Sequence, residues 1–231
     1  MPGITVAIDG PSGSGKSSVA RTVAGHLGLA YLDTGAMYRA ATVWTLTCGV
    51  SLAETARVAD LVRTMPLRVS LDPKAPGFWL ADDDVTAAIR DPAVSAVVSQ
   101  VATNLEARPV LVSSQREIIA IERSAGFSNG RGIVAEGRDI TTVVAPDAEV
   151  RILLVASEEA RLARRAKEVH GSAGSVAVAA TRAEVVGRDR ADSAVAEFMT
   201  AADGVATLDN SEFSKAQTVQ AVLELIEEAG R

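Results

Sequence analysis

Hydrophobic positions along the chain follow two alternating periods. Ile4-Thr5-Val6-Ala7-Ile8-Asp9 is a short, nearly continuous apolar run stopped by glycine and proline, which predicts a strand buried on both faces of a parallel sheet. After a Gly/Ser-rich turn, Val19, Val23 and Leu27 recur at helical spacing, with Ala20 and Ala24 in the same stripe. Runs of the first kind return at Ala30 to Asp33, Gly132 to Glu136, Val150 to Ala156 and Gly204 to Asp209. With helical patterns between them they predict an α/β fold, a five-stranded parallel sheet flanked by helices with right-handed crossovers.

Two stretches break this rhythm. Leu67 to Leu71 and Phe78 to Ala81 alternate like strands around Asp72-Pro73-Lys74-Ala75-Pro76-Gly77, which reads as a hairpin. Asp91-Pro92 then opens a helix, with aspartate as cap and proline at the first helical position. Residues 50–91 therefore read as a small insertion projecting from the sheet, with Asp82-Asp83-Asp84 as a solvated turn. The second break, Gly171 to Ala180, is a Gly/Ser/Ala stretch between two arginine-bearing helices. It is either a plain loop or the hinge of a lid.

Composition narrows the class. The chain carries 23 Lys and Arg against 29 Asp and Glu, a net charge of −6, so bulk nucleic-acid binding, which needs a basic surface, is disfavoured. No apolar run reaches the roughly 20 residues of a membrane span. The single cysteine, Cys48, allows no internal disulfide and fits a reducing cytoplasm; it reads as core filling on a helix. Only four of the 23 cations are lysine, and arginine is the better fork for phosphate. Codon bias is the better reading of the total on composition alone, so position decides.

The loop after the first strand carries the clearest chemistry. Gly10-Pro11-Ser12-Gly13-Ser14-Gly15-Lys16-Ser17 matches the phosphate-loop pattern, and it lies between a strand and an amphipathic helix, the context that the chemistry requires. Glycines let successive N–H groups curl around a phosphate, and the helix behind supplies the positive end of its dipole. Lys16 would reach the outer phosphates and the Ser17 hydroxyl would ligate magnesium. Asp9, directly before the loop, either joins the magnesium shell or caps the turn.

A phosphate loop does not separate a kinase from a nucleotide-gated switch; a second anion site opposite it does. Asp33-Thr34-Gly35-Ala36-Met37-Tyr38-Arg39 and Glu136-Gly137-Arg138-Asp139 each follow a strand and open at the carboxyl edge of the sheet, where open α/β proteins bind ligands. Arg39 is either a surface cation or a crevice residue, and Arg138-Asp139 either a local salt bridge or a ligand contact.

Those strings, together with Ser99-Gln100-Val101-Ala102, Thr142-Val143-Val144, Pro146-Asp147-Ala148, Arg188-Asp189 and Asp192-Ser193, resemble bacterial cytidylate kinases. The resemblance runs from about residue 4 to residue 210. It implies transfer of the γ-phosphoryl group of ATP to CMP and dCMP, with Mg2+, on a P-loop core like that of nucleoside monophosphate kinases. It implies a single kinase domain over residues 1–231: a core at 1–49, 92–156 and 200–231, a nucleotide-binding insertion at about 50–91 and a helical lid at about 157–193. Cytoplasmic location and a monomer follow by analogy.

Site residues carry over one by one. Gly10, Pro11, Ser12, Gly13, Ser14, Gly15, Lys16, Ser17 and Ser18 would bind ATP, with Arg161 closing from the lid. Thr34, Arg39 and Arg138 would hold the acceptor phosphate, Ser99, Arg108 and Asp139 would read the cytosine edge, and Asp192 would accept from the sugar hydroxyl. Lys16, Arg138, Arg165 and Arg188 would neutralise the transferring group, and Arg188 would also touch CMP. One departure stands out: family members commonly carry a second lid arginine a few residues after Asp192, where this chain has Asp192-Ser193-Ala194-Val195. Either Arg190 substitutes for it or the remaining arginines suffice. A kinase for another small acceptor, or a switch without acceptor arginines, are the competing readings.

Overall fold

Strand β1 (Ile4–Asp9) is the hub of the sheet because Thr5 to Asp9 are buried and none faces water. It pairs in parallel with β6 (Gly132–Gly137) and β7 (Val150–Val155). Adding β2 (Ala30–Asp33) and β8 (Ala206–Asp209) gives one parallel sheet in the order β2-β6-β1-β7-β8. The last strand starts later than its apolar pattern, because Gly204 turns the chain at φ +73°. The computed structural model describes residues 3–171 and 174–230, with the side chains at 168–170, 175–180, 183, 184 and 188 outside the description.

Alternation along the strands divides the core into two layers. Ala7, Leu32, Ile133 and Ala135 pack toward α2 (Thr34–Thr47) and α5 (Arg108–Glu122). Val6, Ile8, Tyr31, Val134 and Ile152 pack toward α1 (Lys16–Leu27) and α8 (Lys215–Ala229). Cys48 is exposed at the end of α2 rather than filling the core. It sits where the helix gives way to Gly49 at φ +68° and no neighbouring layer covers it.

Between α2 and α4 (Pro92–Ala102) lie α3 (Thr55–Arg63) and an antiparallel sheet of β3 (Leu67–Ser70), β4 (Gly77–Leu80) and β5 (Asp83–Asp84). The hairpin stands where its alternation predicts it. Of the triple aspartate, expected as a solvated turn, Asp82 lies in an exposed turn, while Asp83 and Asp84 form a short exposed edge strand by pairing with Leu80 and Trp79. Arg21 of α1 ties the hairpin tip down by donating from Nε to the Pro73 carbonyl at 2.6 Å. A 3-10 turn at Ala88–Arg90 leads into α4. The Asp91 carboxylate caps that helix by accepting from the Ala93 N–H at 2.7 Å.

After β7, Ser157 caps α6 (Glu158–His170), and α7 (Ser175–Asp192) follows. The Gly/Ser/Ala stretch, expected as a loop or hinge, is already helical from Ser175, and its residues 172 and 173 lie outside the described residues. Alanine favours helix strongly enough to extend α7 back into it. Among the described residues, no helix is long and apolar enough to cross a membrane.

Strand register fixes where the chemistry meets. Asp9 lies beside Gly137 and Leu153, and Asp33 beside Glu136. The loops that follow β1, β2 and β6 therefore open side by side at one edge of the sheet.

Candidate active site

The phosphate loop occupies that edge between β1 and α1. Gly13 sits at φ +79°, and a Cβ there would stand 2.5 Å from the Arg161 carbonyl oxygen, so both the turn and the close approach demand glycine. Gly15 caps α1 and offers no side-chain acceptor to the first N–H groups of the helix, which suit an anion. Lys16 donates from Nζ to the Pro11 carbonyl at 3.2 Å, folding back over the loop. Ser12, Gly13, Gly15, Lys16, Ser17 and Ser18 line one end of a cavity of about 980 Å³. Gly10, Pro11 and Ser14 shape the loop from behind: a Cβ on Gly10 would come within 2.2 Å of the Leu154 carbonyl oxygen, and Ser14 is fully buried.

Thr34, Arg39, Arg108, Arg138, Asp139 and Asp192 line the same cavity away from the loop. Thr34 follows β2 and donates from Oγ1 to the Glu136 carbonyl at 2.8 Å. A Cβ at Gly137 would stand 2.4 Å from that hydroxyl oxygen, which is why glycine precedes Arg138. Arg108, at the start of α5, donates to the Asp139 carboxylate and to the Ala102 carbonyl at 2.7 Å. Asp139 is buried, and that burial raises its pKa against the lowering effect of Arg108. Arg138 pairs with Asp192 and, at 3.1 Å, with Asp189, and its guanidinium lies over the Phe198 ring at 4.7 Å. Ser99 stands behind the cavity wall and donates to Asp192 at 3.0 Å.

The two long helices after β7 divide their arginines. Arg165 lines the cavity. Arg161, expected to close on ATP, is buried and absent from the lining: it donates to the Ser12 carbonyl at 2.9 Å and to Asp189 at 2.5 Å, bracing the phosphate loop. Arg164 braces it too, through the Ser14 carbonyl at 3.3 Å and the Asn210 side chain at 2.9 Å. The backbone of Arg188 belongs to α7, and its side chain lies outside the described residues. Arg190 is exposed and does not line the cavity.

Sequence reasoning gave Asp189 no role of its own. Asp189 accepts from the Ser12 N–H at 3.0 Å as well as from Arg161 and Arg138, so one carboxylate joins α7, the phosphate loop and the acceptor arginine. Its only sequence signal is its place after Arg188. Asp9 is not seen to cap the phosphate-loop turn: it accepts from the Ile140 and Thr141 N–H groups at 2.9 and 2.8 Å and from the Thr141 hydroxyl at 2.7 Å. It thereby fixes the π-helical turn Ile140–Val144 that follows Arg138-Asp139.

Glu136 forms part of the cavity floor, and burial followed by the nearby Asp33 carboxylate pushes its pKa up to about 7, against Lys16, a Ser17 hydrogen bond and Arg39. From the ordinary value of 4.5 up to about 7 the folded chain binds more protons at Glu136 than the unfolded one. Stability from this group is therefore lost as pH rises through that window, by up to about 3 kcal/mol in total. Glu136→Gln removes the dependence. Urea unfolding at pH 5 and pH 8 should show a smaller fall in the variant than in the wild type, and equal falls would contradict the assignment.

Comparison with known proteins follows the same line. The family model for cytidylate kinase matches residues 6–228. A cytidylate kinase of Streptomyces griseus is 41% identical over 97% of this chain and 93% of its own. One of Nocardia farcinica is 44% identical over 94% of this chain and 90% of its own, and one of Streptococcus suis is 39% identical over 100% and 98%. With a match of that extent laid over a phosphate loop that faces paired arginines across one cavity, the chain belongs to the cytidylate kinase family.

Proposed function

We propose that the protein transfers the γ-phosphoryl group of ATP to CMP and dCMP, and that the residues of the cavity at the sheet edge divide into a donor end and an acceptor end. The observation that carries the reading is the continuity of that cavity: about 980 Å³ joins Lys16 and Ser17 to Arg39, Arg138, Arg108 and Asp139. A switch that only binds a nucleotide has no use for the acceptor cations.

Phosphoryl transfer leaves a protein little covalent work, so positioning and charge neutralisation dominate. The phosphate loop and Lys16 hold the outer phosphates of ATP, with Arg165 and Arg188 adding charge from the lid. Thr34, Arg39 and Arg138 hold the acceptor phosphate in line. Asp139 accepts from the exocyclic amine of cytosine and Arg108 donates to its ring nitrogen and carbonyl. Ser99 positions Asp192 toward the sugar. Arg161 acts through the loop it braces rather than on ATP itself.

Magnesium fits this donor end. The Ser17 hydroxyl meets the buried Glu136 carboxyl, and Asp33 Oδ2 is buried without a hydrogen-bond partner, a set that suits a hard cation and its waters. Ser17 would ligate it, with Glu136 and Asp33 holding its water shell. When bound, the ion neutralises charge on the transferring phosphates.

Residues 50–91 serve as the acceptor-binding insertion and 157–193 as the lid in this reading, on one cytoplasmic, monomeric chain. A coupled ADP-release assay with CMP, dCMP, UMP and AMP tests it. CMP and dCMP should drive ADP formation well above UMP and AMP; tight nucleotide binding without CMP-dependent ADP release would sink the kinase reading.

A further inference from the structure

We infer that Asp189 is a positioning residue that links the two ends of the cavity, so that CMP and ATP each strengthen the binding of the other. The inference rests on the kinase reading above and gives an acid of α7 a part that neither the phosphate loop nor the acceptor arginines hold by themselves.

Ser12 stands in the phosphate loop, and both of its backbone groups are held by one ion pair from the long helices after β7. Its N–H donates to Asp189 Oδ1 at 3.0 Å, and its carbonyl accepts from Arg161 Nη1 at 2.9 Å. The same Arg161 nitrogen donates to Asp189 Oδ2 at 2.5 Å, which closes a ring around Ser12. Arg161 and Asp189 are both buried, where charge-assisted hydrogen bonds are stronger than in water. The next residue, Gly13, packs so closely on α6 that a Cβ would stand 2.5 Å from the Arg161 carbonyl oxygen. The fit between the loop and the helix leaves little slack.

Asp189 Oδ1 carries a second load, because Arg138 Nη2 approaches it at 3.1 Å from the acceptor end. Without an acceptor, that oxygen is divided between the loop N–H and the guanidinium. A phosphate monoester on Arg138 draws on the same guanidinium charge, so Oδ1 is left more fully to Ser12 and the ring tightens. The loop is then fixed in the curl that receives the outer phosphates of ATP, and a preordered site binds its ligand at a lower cost. Linkage requires the reverse effect by the same factor: ATP on the loop strengthens CMP binding. Two anionic substrates repel one another through charge, so a favourable coupling needs a relay of this kind.

Titration calorimetry with magnesium and a non-hydrolysable ATP analogue tests the relay. In the wild type, the dissociation constant of CMP should fall about fivefold to a hundredfold when the analogue saturates the loop, and that of the analogue should fall by the same factor with CMP. In Asp189→Asn, isosteric but uncharged, the factor should drop to within about twofold of one. Arg161→Met opens the ring from its other side and should lose the coupling too, which keeps the test alive if the first variant folds poorly. Asp192→Asn takes a partner from Arg138 without touching the ring around Ser12; CMP should bind it more weakly, yet the coupling should persist. A merely structural role for Asp189 would raise both constants and leave the factor in place. The assignment is overturned by a wild-type CMP constant that the analogue leaves unchanged, by coupling that survives in Asp189→Asn or Arg161→Met, or by equal loss of it in Asp192→Asn. A wild-type chain that forms no ADP from ATP and CMP fails the kinase reading itself, a result visible before any coupling is measured.

Discussion

Arg138→Met should lower kcat with CMP by about a thousandfold or more, because an arginine on the transferring phosphoryl group is worth that much when chemistry is mostly charge neutralisation. Arg138 is the cation best placed for it. It leaves the carboxyl end of β6 beside the phosphate loop, lies over Phe198, and is held by Asp189 and Asp192. Those two carboxylates hold the guanidinium in the cavity wall, and in the proposed reading they would share it with an arriving phosphate. Stability should fall less than activity. Asp189 keeps the Ser12 N–H and Arg161, and Asp192 keeps the Ser99 hydroxyl, so the folded state should lose about 1–3 kcal/mol. Steady-state kinetics and urea unfolding of the variant separate the two effects. A kcat within about tenfold of wild type would remove Arg138 from the transfer step.

Asp139→Asn should erase most of the discrimination between CMP and UMP. Cytosine offers a donor at the exocyclic amine and an acceptor at the ring nitrogen; uracil presents the opposite polarity at both. A buried carboxylate held by Arg108 can only accept, so uracil would leave it facing a carbonyl, and sites of that kind reject an analogue by factors up to about ten thousand or more. Asparagine can turn either an acceptor or a donor to the base. The kcat/KM for CMP should fall by about a hundredfold or more, with the ratio of CMP to UMP moving toward one. An unchanged ratio would assign base selection to other residues.

Much of the fold and part of the site could be read from the residues alone, for a common reason. β1, β2, β6 and β7 are buried on both faces, so their sequences are apolar runs with little alternation, and each of these runs marks its strand to within a residue. Asp91-Pro92 and the glycine pattern of the phosphate loop likewise encode local geometry in residue types. What escaped depends on contacts far apart in sequence. Arg161 and Arg165 look alike on one helix face, yet Arg161 turns inward to Ser12 and Asp189 while Arg165 lines the cavity. Nothing in their spacing separates them. Burial first, and then Asp33 beside it across β2 and β6, raises the pKa of the Glu136 carboxyl, a pairing that only strand register creates. Asp83–Asp84 became a strand because Leu80 and Trp79 offered an edge, against the low strand propensity of aspartate. The arginine excess sharpens in the same way: Arg57 and Arg63 pair with acids on exposed helix turns, whereas Arg39, Arg90, Arg108 and Arg138 converge on one cavity in an acidic chain.

Following the label from γ-32P-ATP is the most direct test of the transfer itself. With CMP and magnesium present, the label should appear in CDP at the rate at which ADP forms. Label recovered as inorganic phosphate, with CMP unchanged, would contradict a cavity built to hold two nucleotides in line.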